Sequence, residues 1–375
     1  MKKLIFKKLL FDITVFFLIS SVTLGLIVWV IQAVNYMDFI TEDGHSLGIY
    51  FKYTLLSLPK ILSRILPFIL FISVFYNLIK LENNNELLVY WTYGISKLKF
   101  INILFIFSLI FLIIQIFLNI YVVPISLDKG RDYIKKSDMD FFPSLIKEKK
   151  FIDTVSDLTI FVDKINNKGE LVNIFLKDQI EDKESQIIHA KKGILQKQNG
   201  KNFLVLLDGE FINNLQGKVT NFSFKKTNFD LSKYSTKTTT YRKIQEVDIV
   251  VLINCLKKLY LETNYIEVKD FVCSNDSLKN IKQETLKRIF KPFYIPVICL
   301  IASLLIFASK DNYAYGRVKI ILFLLGIIAL IASEISVRYS GLDNAKSLIF
   351  IGIPLIMIFI IYSIIFKYTI FKSHA

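Results

Sequence analysis

The fold class the sequence predicts is an α-helical membrane protein with six transmembrane helices, three before and three after an inserted all-β, jelly-roll-like domain. Three observations carry it. Of the 375 residues 53% are hydrophobic, and the mean hydropathy of +0.47 is too high for a soluble chain of this length. Six apolar stretches reach or approach the roughly 20 residues that a hydrocarbon core about 30 Å thick requires. Residues 127–291, between the third and fourth stretches, have a different, alternating character.

The first span is expected over Ile13–Val34. It opens with MKKLIFKK and runs on without a small-residue cleavage site, so it reads as a retained anchor. The second is expected over Ile61–Ile79 and the third over Phe100–Pro124. The fourth, Phe293–Ala308, is short by itself, and the flanking KPF and YIP lengthen it; the fifth and sixth fall at Val318–Ile335 and Leu348–Phe366.

Between spans 3 and 4, LTIFVDKI, LVNIFLKD, SQIIHA, NFLVLLDGEFI and KVTNFSFKK alternate as half-buried strands do, separated by NNKGE, KQNGKN and NNLQGK. Short strands at this spacing suggest a sandwich or jelly-roll. Beyond YSTKTTTYRK, VDIVVLINCLKKLYLE and SLKNIKQETLKRIF read as helices, the second running into span 4 through Pro292. The expected domains are 1–126, three spans with a short helix at 83–96; 127–245, the β-domain; 246–291, a helical connection; and 292–375, three further spans.

The net charge of +15 does not indicate nucleic-acid binding. Much of the excess lies at the ends of spans: Lys2, Lys3, Lys7 and Lys8; Lys80, Lys97 and Lys99; Lys310, Arg317 and Lys319; Lys367 and Lys372. The opposite loops, such as NYMDFITEDGHSLGIY, are acidic or nearly neutral, so the positive-inside rule places both termini in the cytoplasm and the β-domain outside. Of the three cysteines, Cys299 falls in a span, so at most Cys255 and Cys273 can pair outside.

The stretch NNNELLVYWTYGIS lies between spans 2 and 3, on the cytoplasmic side. On a helical wheel Leu87, Leu88, Trp91 and Ile95 share one arc, with Glu86, Tyr90 and Tyr93 opposite. Asn83 and Glu86 have capping-box spacing, and Gly94 suits the carboxyl end. From these residues alone, a helix resting on headgroups and a helix offering a carboxylate to a soluble partner are both open.

No chemistry of catalysis is written in the chain. There is no G-x-x-x-x-G-K-[ST] loop to cradle phosphates, and His45, His189 and His374 lack metal spacing, so no cofactor or metal is expected. Ionisable residues inside spans are costly and therefore functional candidates. Glu334 and Arg338, four apart in span 5, can pair. Lys60 and Arg64 share a face of span 2, where Lys60 can snorkel to the interface.

The ordered set of Glu86, LLVYWTY and Gly94-Ile95-Ser96, LPKILSRILPF, LDGEFI, ETLKRIFKPF and YGRVK, on a 3 + domain + 3 layout, resembles the LptF/LptG family of permeases, with a lean to the F subunit through QAVNYMDF and the span 2 sequence. The resemblance covers nearly the whole chain. It implies a non-catalytic inner-membrane subunit that pairs with a sister permease and a cytoplasmic ATPase dimer. Such a complex extracts lipopolysaccharide and passes it through periplasmic jelly-rolls to a periplasmic bridge. It further implies that the short helix couples to the ATPase through Glu86, with Tyr90, Trp91, Tyr93 and Gly94 shaping it. Arg338 would then meet a lipid phosphate, beside Glu334, Arg64, Lys60 and, at the end of span 1, Gln32. A permease for another lipid, or a membrane-anchored sensor with a ligand-binding β-domain, are the alternatives.

Overall fold

The computed structural model describes residues 2–37, 40, 46–137, 146, 148–155, 158–166, 169–181, 184–198, 201–215, 218–231, 242–260, 266–268, 271–273 and 277–371. His45, His374, Lys372, the TEDGH loop and YSTKTTTY lie outside the described residues, as do parts of the KQNGKN and NNLQGK turns. The chain divides into two compact units. One comprises Met1–Val30, Ser57–Leu127 and Lys243–Ala375, the other Ile31–Leu56 and Asp128–Arg242.

Six helical stretches are long and apolar enough to cross a membrane. In chain order the helices are α1 (Lys2–Asn35), α2 (Leu47–Leu56), α3 (Leu58–Asn83), α4 (Glu86–Thr92) and α5 (Lys97–Phe117). A π-helical turn, Leu118–Val122, joins α5 to α6 (Val123–Ser137). After the strands come α7 (Ile249–Tyr260), α8 (Leu278–Phe290), α9 (Tyr294–Ser303), α10 (Tyr315–Tyr339) and α11 (Asn344–Phe371). Spans 2, 3 and 4 are longer than the sequence suggested, reaching Leu47–Asn83, Lys97–Ile134 and Leu278–Phe307, because α2, α6 and α8 run on from the expected spans with almost no break.

The membrane unit is organised around α3 and α9. Phe71 of α3 is fully buried and lies against Gly326 of α10, where a Cβ would come within 2.1 Å of the ring. Small residues at such crossings let backbones approach where lipid supplies no hydrophobic drive. Pro67 interrupts α3 and, having no N–H, leaves the carbonyl of Ser63 one turn earlier without its helical partner. Gln115 of α5 supplies the donor: its Nε2 lies 2.6 Å from the Ser63 carbonyl oxygen, and 3.3 Å from Asn119 Oδ1. A proline is tolerated in a span when a neighbouring helix satisfies the freed group in this way.

In the other unit the insert is a six-stranded antiparallel meander, β1 (Phe151–Val155), β2 (Leu158–Ile165), β3 (Leu171–Glu181), β4 (Glu184–Gln198), β5 (Lys201–Leu215) and β6 (Lys218–Asp230), each strand pairing with the next. Every ladder from β2 to β6 omits one rung along a single line: positions 163, 173, 191, 208 and 225 are skipped between paired neighbours. Asn173 and Asp208 adopt left-handed backbone there, with φ of 53° and 50°. Side-chain alternation flips across that line. Ile174 and Leu176 are buried on one side of it and Leu171 on the other; Leu204 and Leu206 face Phe211 across it in the same way. One unpaired position at the same level of each strand, with the register kept on either side, therefore creases the sheet so that both halves turn the same face to the core. Gly209, next to the crease, sits where a Cβ would lie 2.4 Å from the His189 carbonyl oxygen, which gives LDGEFI a structural reason.

Residues 244–290 form a small cluster of their own, around Val247, Leu252, Cys255, Phe271, Cys273 and Ile281, with a short hairpin of β7 (Ile266–Val268) and β8 (Phe271–Cys273). Cys255 and Cys273 are joined in a disulfide, the pairing the sequence left open, while Cys299 is free and buried. Arg288 of α8 is buried here and donates to the carbonyls of Val247 (2.8 Å), Gln245 (2.9 Å) and Ile244 (3.1 Å), and to Glu284 Oε1 (3.1 Å).

Candidate functional site

The stretch from Asn83 to Ser96 folds as a tightly fastened hairpin between α3 and α5. Asn83 is the last residue of α3, so it does not cap α4; Asn85 occupies that position, in left-handed backbone with φ 59°. The expected capping box is thus corrected, and Glu86 instead accepts from Asn84 Nδ2 at 3.1 Å. At the far end the Ile95 N–H reaches the Tyr90 carbonyl (3.1 Å) and the Gly94 N–H that of Trp91 (3.0 Å), with Gly94 at φ 67°. That is a Schellman stop, which requires the left-handed residue that glycine provides. Ser96 then caps α5, its Oγ accepting from the Lys99 N–H at 3.3 Å. Gly-Ile-Ser is therefore a helix stop, a buried plug and a helix start in succession.

Tyr90 is the main correction to the wheel. It faces inward, 4% exposed, with its ring against Phe100 (5.0 Å between centroids) and Phe6 (5.7 Å), and its hydroxyl donates to the Ile5 carbonyl at 3.4 Å. Burial, followed by the nearby Glu86 and Asp12 carboxylates, pushes its phenol up to about 12. The inward set is Leu87, Tyr90 and Ile95, with Trp91 half-buried on Phe100; Leu88, placed on the apolar arc by the wheel, is 62% exposed. The helix is rotated toward Tyr90 because a backbone acceptor makes burial of the phenol affordable. The outward face therefore carries Leu88, Val89 and Tyr93, with half-buried Glu86 in the first turn.

Neighbouring elements hold this hairpin. The Lys310 N–H donates to Glu82 Oε1 (2.8 Å) and its Nζ to the Asn83 carbonyl (3.2 Å). Lys97 Nζ donates to the Ile306 carbonyl (3.2 Å) and lies over the rings of Trp91 and Phe307.

At the other candidate location the expected Glu334–Arg338 pair does not form. Glu334 pairs with Lys291 instead, and Arg338 is exposed without an ion pair among the described residues. Lys291 precedes α9 and reaches a carboxylate that the four-residue spacing had assigned to Arg338; long-range packing overrides the local pairing. Lys60 lies in the field of Arg64, Lys287 and Lys243, opposed by Glu246, and Lys291 in that of Lys287 and Arg64. Lys60, Arg64, Lys287 and Lys291 thus lie within range of one another's charge, with Lys287 paired to Glu284 (3.0 Å) and Lys291 to Glu334. Lys287 and Lys291 were missed because ETLKRIFKPF precedes the apolar run; their four-residue spacing on one helical face was the available signal. Gln32 bonds locally, its Nε2 donating to the Tyr36 hydroxyl at 2.7 Å. Among the described residues no group of three or more His, Cys, Asp or Glu could hold a metal.

A protein of Rickettsia prowazekii (strain Madrid E), described as uncharacterized, is 23% identical over 172 residues, 45% of this chain and 47% of that protein. The chain thus spans about half the length of the curated relative it matches. The family described as "Lipopolysaccharide export system permease LptF/LptG" matches residues 7–368. With six membrane-capable helices flanking an inserted antiparallel sheet, the chain belongs to the LptF/LptG family.

Proposed function

We propose that the chain is the permease subunit, on the F side of the pair, of an ATP-driven complex in the inner membrane of a Gram-negative bacterium. It extracts lipopolysaccharide and hands it to a periplasmic bridge. Both termini are cytoplasmic, and the creased sheet is periplasmic. The observation that carries the reading is the hairpin at Asn83–Ser96: a short helix fixed at both ends, seated by Leu87, Tyr90 and Ile95, with an apolar face of Leu88, Val89 and Tyr93 left open. Exposed aromatic and aliphatic side chains on a rigid element suit a protein partner. The cytoplasmic ATPase dimer docks there, with Glu86 meeting a basic residue at the rim, and the sister permease completes the cavity.

The basic cluster of Lys60, Arg64, Lys287 and Lys291 receives the phosphates of the lipid, since a guanidinium and clustered ammonium groups match a phosphate in charge and donors. Arg338, free of Glu334, is a further phosphate contact. The Cys255–Cys273 disulfide supports an external position for residues 246–291, because such bridges persist in oxidising compartments. Purification in mild detergent with mass spectrometry of the bound material tests the reading. A soluble ATPase, a second six-span permease and lipopolysaccharide are expected; recovery of the chain with none of them would overturn it.

A further inference from the structure

The YGRVK motif has no part in the site described so far. It follows a loop, 308–314, whose shape is set by interlocking turns. The Asn312 N–H bonds the Ser309 carbonyl (3.1 Å), the Tyr315 N–H that of Asn312 (2.9 Å), and the Ala314 N–H the Asn312 side-chain oxygen (2.9 Å). The one loop carboxylate, Asp311, is engaged by the Ser309 hydroxyl at 3.3 Å. At the tip Tyr313 is 91% exposed, more than any other large hydrophobic residue among those described. Its ring is steadied by the Arg317 guanidinium, 5.5 Å from the centroid.

Arg317 lies in the first turn of α10, which has no acidic residue, and Lys319 follows just beyond it, so two cations stand near the positive end of a helix dipole. Neither has an ion pair among the described residues; Lys319 only overlies the Tyr315 ring. Cations that break a local charge rule with no ion pair among the described residues point to an anion outside the chain. The loop is also bonded directly to the hairpin, through Lys310 to Glu82 and Asn83.

We propose that Tyr313 and Arg317 form the second half of the surface that takes the soluble ATPase, and that the partner presents acidic side chains there beside an apolar recess for the ring. The inference rests on the docking role of the Leu88–Val89–Tyr93 face and extends it: the partner would grip two loops at once, so that its movement reaches spans 2, 4 and 5 together. Continuity with that face, through the Lys310 bonds, favours a protein over headgroups as the occupant.

The test compares two variants of the full chain, Leu88→Asp and Tyr313→Ala/Arg317→Glu, by the amount of ATPase that co-purifies and by the phospholipid retained. Correct membrane insertion is checked by the Cys255–Cys273 disulfide. Both variants are expected to lose ATPase at least about tenfold, a change worth about 1.4 kcal/mol. Loss with Leu88→Asp alone overturns the second surface while leaving the first intact. No loss with either overturns the docking reading itself. If the double variant keeps its ATPase and loses only acidic phospholipid, the loop is a headgroup contact and the proposal is wrong.

Discussion

Spans 2 and 4 differ from spans 1, 5 and 6 in what surrounds them. In the most apolar stretch of each, 61% and 72% of residues are buried within the chain for spans 2 and 4, against 17%, 28% and 17% for spans 1, 5 and 6. The two buried spans are also the least hydropathic of the five. Polar residues account for part of this: Ser73, Asn77 and Ser303 are buried in spans 2 and 4, while Ile19, Val22, Leu26 and Ile27 of span 1 and Ile321, Leu325 and Ile328 of span 5 lie bare. A helix whose neighbours are in its own chain must satisfy its polar groups there; one facing lipid or another subunit needs only to be apolar. The outer spans thus leave an apolar surface open outside the chain.

Gly326→Leu gives the largest expected effect, because it forces a side chain into the Phe71 ring at the seam between a packed span and an open one. Overpacking of this kind costs about 1–3 kcal/mol, and the variant is expected to lose most of its detergent-stable material in size-exclusion and thermal-melt measurements. Survival with an unchanged melt would mean spans 2 and 5 do not meet there. Gln115→Leu is expected to be milder, lowering stability by about 1–2 kcal/mol, since it leaves the Ser63 carbonyl unpaired in a dry site. Pro67→Ala in the same chain returns an N–H to that carbonyl and should recover most of the loss; absence of rescue would separate the glutamine from the proline. Ile328→Ala, on the open face of span 5, should shift the melt of the isolated chain by no more than about 0.5 kcal/mol. A large loss there would show that span 5 has a partner within the chain and would break the contrast.

Much of the fold was legible because apolar length and alternation are strong signals. Six spans and five of the strands fall where the sequence placed them, while β1, the β7–β8 hairpin and α2 were not foreseen, being short and flanked by polar residues. The crease was hidden for a different reason: one reversal of alternation within a strand carries little signal alone and shows only when five strands are aligned. In the hairpin the Gly94 stop was readable from helix chemistry, whereas the expected Asn83–Glu86 cap does not form. The inward turn of Tyr90 was not, since it depends on the Ile5 carbonyl 85 residues away in sequence. Glu334 likewise looked paired with Arg338 because spacing is local, while Lys291 comes from another helix.

The central claim is that α4 presents Leu88 to a soluble ATPase and keeps Tyr90 for its own bundle. A photo-crosslinking residue placed at position 88 and, separately, at position 90 in the living cell tests it most directly. The account predicts an adduct between position 88 and the ATPase, and none with that protein from position 90. Capture of lipid alone from position 88, or of the ATPase from position 90 but not 88, would contradict it.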